Sequence, residues 1–286
     1  MSDDHLNLSL ADSSADGDAR WAFGTGFEDP LHGVETGLPA GVDTPALTAL
    51  CLALADDALV SAQRLAQWVT AAPELEIELA LANIGLDLLG QARLLYARVG
   101  QVDGTGRDED HYAYFRDAAE FRNIRLAELP NGDFAFSVAR LLAVSAWRLA
   151  LFQRLTSAPD PVLAAIAAKG VKELAYHRQF AADWAVRLGD GTDQSRRRMT
   201  AAVAEVTPWL GELAEDTSAA PLGVDAGEVA AESRDVWEQV LTAAGLTVPA
   251  AAPVPGSGRS GARTEHLEPL LAELQVVARA HPGATW

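Results

Sequence analysis

The chain has 286 residues, 49% hydrophobic and 22% charged, with a formal net charge of −18. That length allows a large buried core in one or two domains, while the acidity argues against a nucleic-acid surface and against attraction to an anionic membrane. Cys51 is the only cysteine, which excludes an intrachain disulfide and a cysteine metal knuckle. No basic segment followed by an apolar one marks an export signal, and no run of about 18 uncharged apolar residues is read as a membrane span. A cytoplasmic location is therefore expected.

Residues 1–43 read as an acidic, poorly ordered extension, because SDDHLNLSLADSSADGDARW is rich in Asp, Ser and Gly and no period organises its apolar residues. Residues 44–286 read as a single helical domain. Asp43-Thr44-Pro45, a cap followed by proline, opens a first helix marked by Leu47, Leu50, Leu54, Leu59, Leu65 and Val69 and ending near Ala71–Pro73. A second runs from Pro73 to Gly100, with Glu74, Glu76 and Glu78 at its start and Arg93 and Arg98 near its end. Its leucines and isoleucines cover most of the circumference, which predicts burial on nearly all sides. Glu76, Asn83, Asp87 and Gln91, at spacings of seven, four and four, share one face. A buried helix with one polar stripe is the pattern inside a metal-binding four-helix bundle; a plain solvent side is the other reading.

Asp108 to Phe121 reads as a short helix within a crossover that reaches the turn Pro130-Asn131-Gly132. A third helix is predicted from Asp133 to Thr156. A fourth follows Pro159 and Pro161 and closes at Gly189-Asp190-Gly191. Four helices of about 25 residues, joined by a short link, a long crossover and another short link, give an all-α, ferritin-like four-helix core over residues 44–189. Additional C-terminal helices occupy 193–286, around Asp193–Asp216, Asp225–Ala244 and Thr264–Ala280. A Pro/Gly-rich loop, 249–263, carries Arg259 and Arg263 as its basic residues. No strand pattern is seen.

A ferritin-like carboxylate centre takes one Glu from each of two helices and Glu-x-x-His from each of the other two. None of the six histidines has a glutamate three positions earlier. Asp29–His32 and Asp108–His111 give Asp-x-x-His, but in connecting segments. Between Asp133 and Asp160 the third helix has no Asp or Glu. The second helix reads Asp87-Leu88-Leu89-Gly90 where the motif is needed, and the fourth reads Glu173-Leu174-Ala175-Tyr176. His177 comes one residue late, about 100° around the axis. No catalytic, cofactor-binding or metal-binding residue is expected, and Asn83, Asp87, Glu173 and His177 remain as members of a degenerate site. With Lys169 and Lys172 one turn away, these residues and Gln91 predict a hydrogen-bonded network in place of metal; ordinary surface charge is the alternative.

The blocks ELEIELALANIGLDLLGQAR (74–93), ELPNGDFA (128–135), WRLALFQRL (147–155), KELAYHRQF (172–180), RLGDGTD (187–193) and TEHLEPLLAELQ (264–275) resemble the C-subunit family of ring-1,2-phenylacetyl-CoA epoxidases, multicomponent oxygenases of aerobic phenylacetate breakdown. The resemblance runs in order from Ala46 to Trp286. It implies a non-catalytic structural subunit with no cofactor of its own, paired with a paralogous A subunit that carries the di-iron centre. A small bridging B subunit and a reductase drawing on NADPH complete the implied assembly. Two other readings stand beside it: a ferritin-like oxidoreductase with a reduced metal site on Asp87, Glu173 and His177, and an acyl-CoA-binding module using Arg196-Arg197-Arg198.

Overall fold

The computed structural model describes residues 31–284. Residues 1–30, most of the expected extension, and the closing tryptophan lie outside them. The part of that extension that is described, residues 31–43, lies against the bundle. Leu31, Val34 and Val42 pack on the core, and the Thr36 carbonyl accepts a 2.7 Å hydrogen bond from Arg98 Nη1.

The predicted all-α architecture is what forms, and no strand is present among the described residues. Within them, ten α-helices follow in order: α1 (Thr44–Ala66), α2 (Leu75–Val102), α3 (Glu109–Tyr114), α4 (Arg125–Glu128), α5 (Phe134–Leu155), α6 (Pro161–Gly189), α7 (Asp193–Val206), α8 (Leu210–Ala214), α9 (Ala226–Ala243) and α10 (Leu267–Ala280). Three of the four bundle helices start where an aspartate can satisfy an orphan amide. Asp43 accepts from Ala46 N at 3.0 Å, Asp133 from Phe136 N at 3.0 Å and Asp160 from Leu163 N at 2.8 Å. Proline in the first turn of α1 and α6 fixes φ without losing a needed donor. The helix predicted over Asp193–Asp216 is interrupted, because Thr207-Pro208-Trp209 tightens into a 3₁₀ turn before α8.

α1 pairs with α2, α5 pairs with α6, and α2 meets α6, giving a ferritin-like four-helix bundle. α7 and α9 pack on α5, so α5 is enclosed on all sides. By length and composition α1 and α5 would be apolar enough to cross a membrane, which differs from the sequence expectation. In this fold both are core helices, and each carries charge in its interior: Asp56 and Asp57 in α1, Arg140 and Arg148 in α5.

The expectation for α2 is also corrected. Ile77, Leu81, Ile84, Leu88 and Leu95 are buried, but Leu75, Leu79, Leu86 and Leu89 face outward. The helix is buried on one side and bare and apolar on another. Near its end, a Cβ on Gly100 would run into the Arg107 carbonyl, so the glycine lets the crossover turn back tightly. Gly100→Ala is expected to cost about 1–3 kcal/mol, read as an earlier urea midpoint at unchanged slope.

Candidate functional site

The bundle centre is where a ferritin-like fold would hold metal, and it is filled by an ion-pair and hydrogen-bond network. Gln91 on α2 bridges it. Its Nε2 donates to Glu173 Oε2 at 2.8 Å, and its Oε1 accepts from Arg148 Nε at 3.0 Å. The other oxygen of Glu173 takes Lys169 Nζ. Deeper in, Asp57 on α1 lies 3.8 Å from Arg148 Nη1 and is gripped at both oxygens by Arg259, at 2.9 and 2.7 Å. Arg259 also donates to Asp216 at 2.9 Å. Arg148, Asp57 and Gln91 are each about 1% exposed.

The sequence-predicted residues divide. His177 is buried, and its Nε2 sits 3.0 Å from Asp87 Oδ2. Glu173 joins Lys169 and Gln91, so the spacing argument placed Asp87, Gln91, Glu173 and His177 on facing surfaces of α2 and α6. Asn83 and Glu76 are exposed, as is Lys172, and none of them enters the network. Asp108 of the loop Asp-x-x-His caps α3 by accepting from His111 N at 2.9 Å; Asp29 lies outside the described residues. Among the described residues no group of three or more His, Cys, Asp or Glu is arranged to hold a metal ion.

Three arginines escape the sequence reading. Arg140 and Arg148 sit on a helix that reads as apolar, and Arg259 sits in a loop that reads as linker. Arg140 is buried with only neutral partners, the Leu129 carbonyl and Asn131 Oδ1. Burial, with Arg64 nearby, pushes its guanidinium down to about 9, and burial brings Arg148 to about 10; both stay charged at neutral pH. Burial alone would also lower Arg259, but Asp57 and Asp216 outweigh it and hold the guanidinium well above its ordinary value. The signal that points to these residues is Asp56-Asp57, two acids in the middle of a hydrophobic helix, because buried carboxylates demand partners.

Asp56 has its own set, with Tyr96 Oη donating at 2.6 Å, Arg122 N at 2.8 Å and the Arg116 guanidinium paired to it. At the far end, Asp160 pairs with fully buried Arg98. These residues do not fit a two-metal centre. A second cation near Glu173 would meet Lys169 and Arg148, and no second Glu or imidazole among the described residues reaches the same point. Nor is Cys51 available as a nucleophile: burial and the charge of Asp160 push its thiol up to about 12.

A family model described as phenylacetic acid catabolic protein matches residues 38–286. A curated relative from Escherichia coli (strain K12), the C subunit of 1,2-phenylacetyl-CoA epoxidase, is 44% identical over 247 residues, which is 84% of this chain and 99% of the relative.

Proposed function

This chain belongs to the phenylacetic acid catabolic protein family, and from that premise we propose that it is a structural subunit of a multicomponent phenylacetyl-CoA epoxidase. It pairs with and steadies a ferritin-like catalytic subunit that carries the di-iron centre, and it holds no metal itself. The observation that carries this reading is the filling of the bundle centre. A guanidinium and an ammonium stand among the carboxylates where two metal cations would have to sit, so the positive charge those carboxylates require is already supplied by the chain.

Pairing is supported by the bare face of α2. Leu75, Leu79, Ala82, Leu86 and Leu89 repeat at intervals of four and three, the seam that a second helix fills with knobs-into-holes packing. Leu75 is 66% exposed and Leu86 64%. Beside them, Val69 and Ala66 of the α1 end, with Tyr114 and Leu274, continue the apolar surface into a groove of about 380 Å³. A contiguous apolar face of this kind marks an interaction site rather than a solvated surface, and a helical partner fits its period. In the wider assembly a small bridging subunit and a reductase supply the remaining parts.

Co-expression with the ferritin-like catalytic subunit, then size-exclusion chromatography and iron analysis of every species, tests this. The expected result is a complex whose iron resides in the partner alone. Stoichiometric iron in the isolated chain, abolished by Glu173→Ala, would overturn it.

A further inference from the structure

Between α1, α2, α5 and α6 lies a cavity of about 30 Å³ whose wall mixes leucines and a valine with Ser61, Ser137, Ser145, Arg140, Arg148 and His177. The ionisable groups in that wall are all basic, and no carboxylate of the described residues lines it. Arg148 Nη1 and Nη2 and His177 Nδ1 are buried with no hydrogen-bond partner among the described residues. Buried polar atoms left without partners are rare and costly. The two guanidinium groups in the wall differ in countercharge, since Arg148 lies near Asp57 and, across Gln91, Glu173. Arg140 bonds only to a carbonyl and an amide, and Asp57, the carboxylate that faces Arg148 Nη1, is 3.8 Å away and already bound twice by Arg259.

We propose that this cavity binds one small inorganic anion of chloride or bromide size, held by the Nη atoms of Arg148 with Arg140 as the second positive charge. The volume admits a single small ion and excludes phosphate-bearing or organic ligands. Water would satisfy the donors but leave the buried Arg140 guanidinium, whose hydrogen-bond partners are both neutral, without countercharge, a state that burial makes expensive. The apolar part of the wall favours a weakly hydrated halide. The proposal stands on the cavity wall alone and is independent of the chain's place in an epoxidase.

Melting of the full chain in sodium chloride and in sodium gluconate at equal ionic strength tests it, because gluconate is too large to enter. Chloride or bromide is expected to raise Tm saturably, by about 2–5 °C, and crystals grown in bromide are expected to show an anomalous peak beside Arg148. Arg148→Met should abolish the halide response. If that variant does not fold, Val144→Leu, which narrows the cavity without touching a charge, should abolish it instead. Equal melting in the two salts, a cavity holding water with no bromide signal, or a halide response that survives Val144→Leu would each overturn the proposal.

Discussion

Replacing Arg259 with methionine is expected to destabilise the chain by about 3–5 kcal/mol, the usual cost of removing one partner from a buried charge pair. Methionine keeps most of the aliphatic stem, so the loss reports charge and hydrogen bonds rather than a cavity. Arg259 donates to Asp57, Asp216 and the carbonyls of Ala53 and Arg122, and without it two buried carboxylates lose their shared cation. The residue is held in place by Gly258, whose absent Cβ would strike the Asn123 carbonyl, and whose amide donates to Glu212 at 2.6 Å. Urea unfolding should show a lower midpoint at unchanged slope.

The same variant should change how stability responds to acid. Burial alone would raise the Asp216 carboxyl, but Arg259 and the Ser218 contacts outweigh it and hold it below its ordinary value of 3.8. With a depressed folded pKa, the unfolded chain binds more protons below that value, so stability is fully present above it and is lost as pH falls through the folded pKa. In Arg259→Met the largest of the effects that lower it disappears. The gap between wild type and variant is therefore expected to be widest near neutrality and to narrow as pH falls below about 4. A gap that stays constant from neutrality to pH 3 would show that Arg259 acts through packing alone.

The second large effect is on assembly. Leu79→Glu together with Leu86→Glu is expected to weaken association with the proposed ferritin-like partner subunit by at least about 100-fold, as removal of central anchors does. Both side chains are more than half exposed, so the isolated double variant should melt within about 0.5 kcal/mol of wild type. Co-elution on size exclusion and a melt of the lone chain separate the two readouts. A complex that survives the double substitution would move the interface to another face.

Much of the fold is legible in the sequence because its signals are local. Asp43, Asp133 and Asp160 announce α1, α5 and α6 within a residue or two, since a cap acts on amides two or three positions away. The meeting of Asp87 and Gln91 with Glu173 and His177 is legible too, because four-residue spacing fixes a helix face regardless of partner. Asn83 fails the same argument: it lies on the stripe, one turn farther toward the solvent-exposed start of α2. Long-range compensation is what the sequence hides. Arg148 finds Gln91 57 residues away and Arg259 finds Asp57 202 residues away, so neither residue's neighbours in sequence hint at its burial. The seam on α2 misleads for a related reason, since hydrophobic coverage records that a surface wants covering and not whether this chain or another supplies the cover.

The 202-residue separation of Asp57 and Arg259 also has a consequence during synthesis. At about 5–20 residues per second, the ribosome releases Asp57 some 10–40 s before Arg259 follows. Helices α1 and α2 are adjacent and free to pair early in that interval, while the arginine that grips both oxygens of Asp57 does not yet exist. The nascent hairpin thus carries an acid whose two-point partner arrives only with the last tenth of the chain. A transcript truncated before residue 259 leaves a product that has nearly all of its hydrophobic core and lacks the cation that joins two of its buried acids, Asp57 and Asp216.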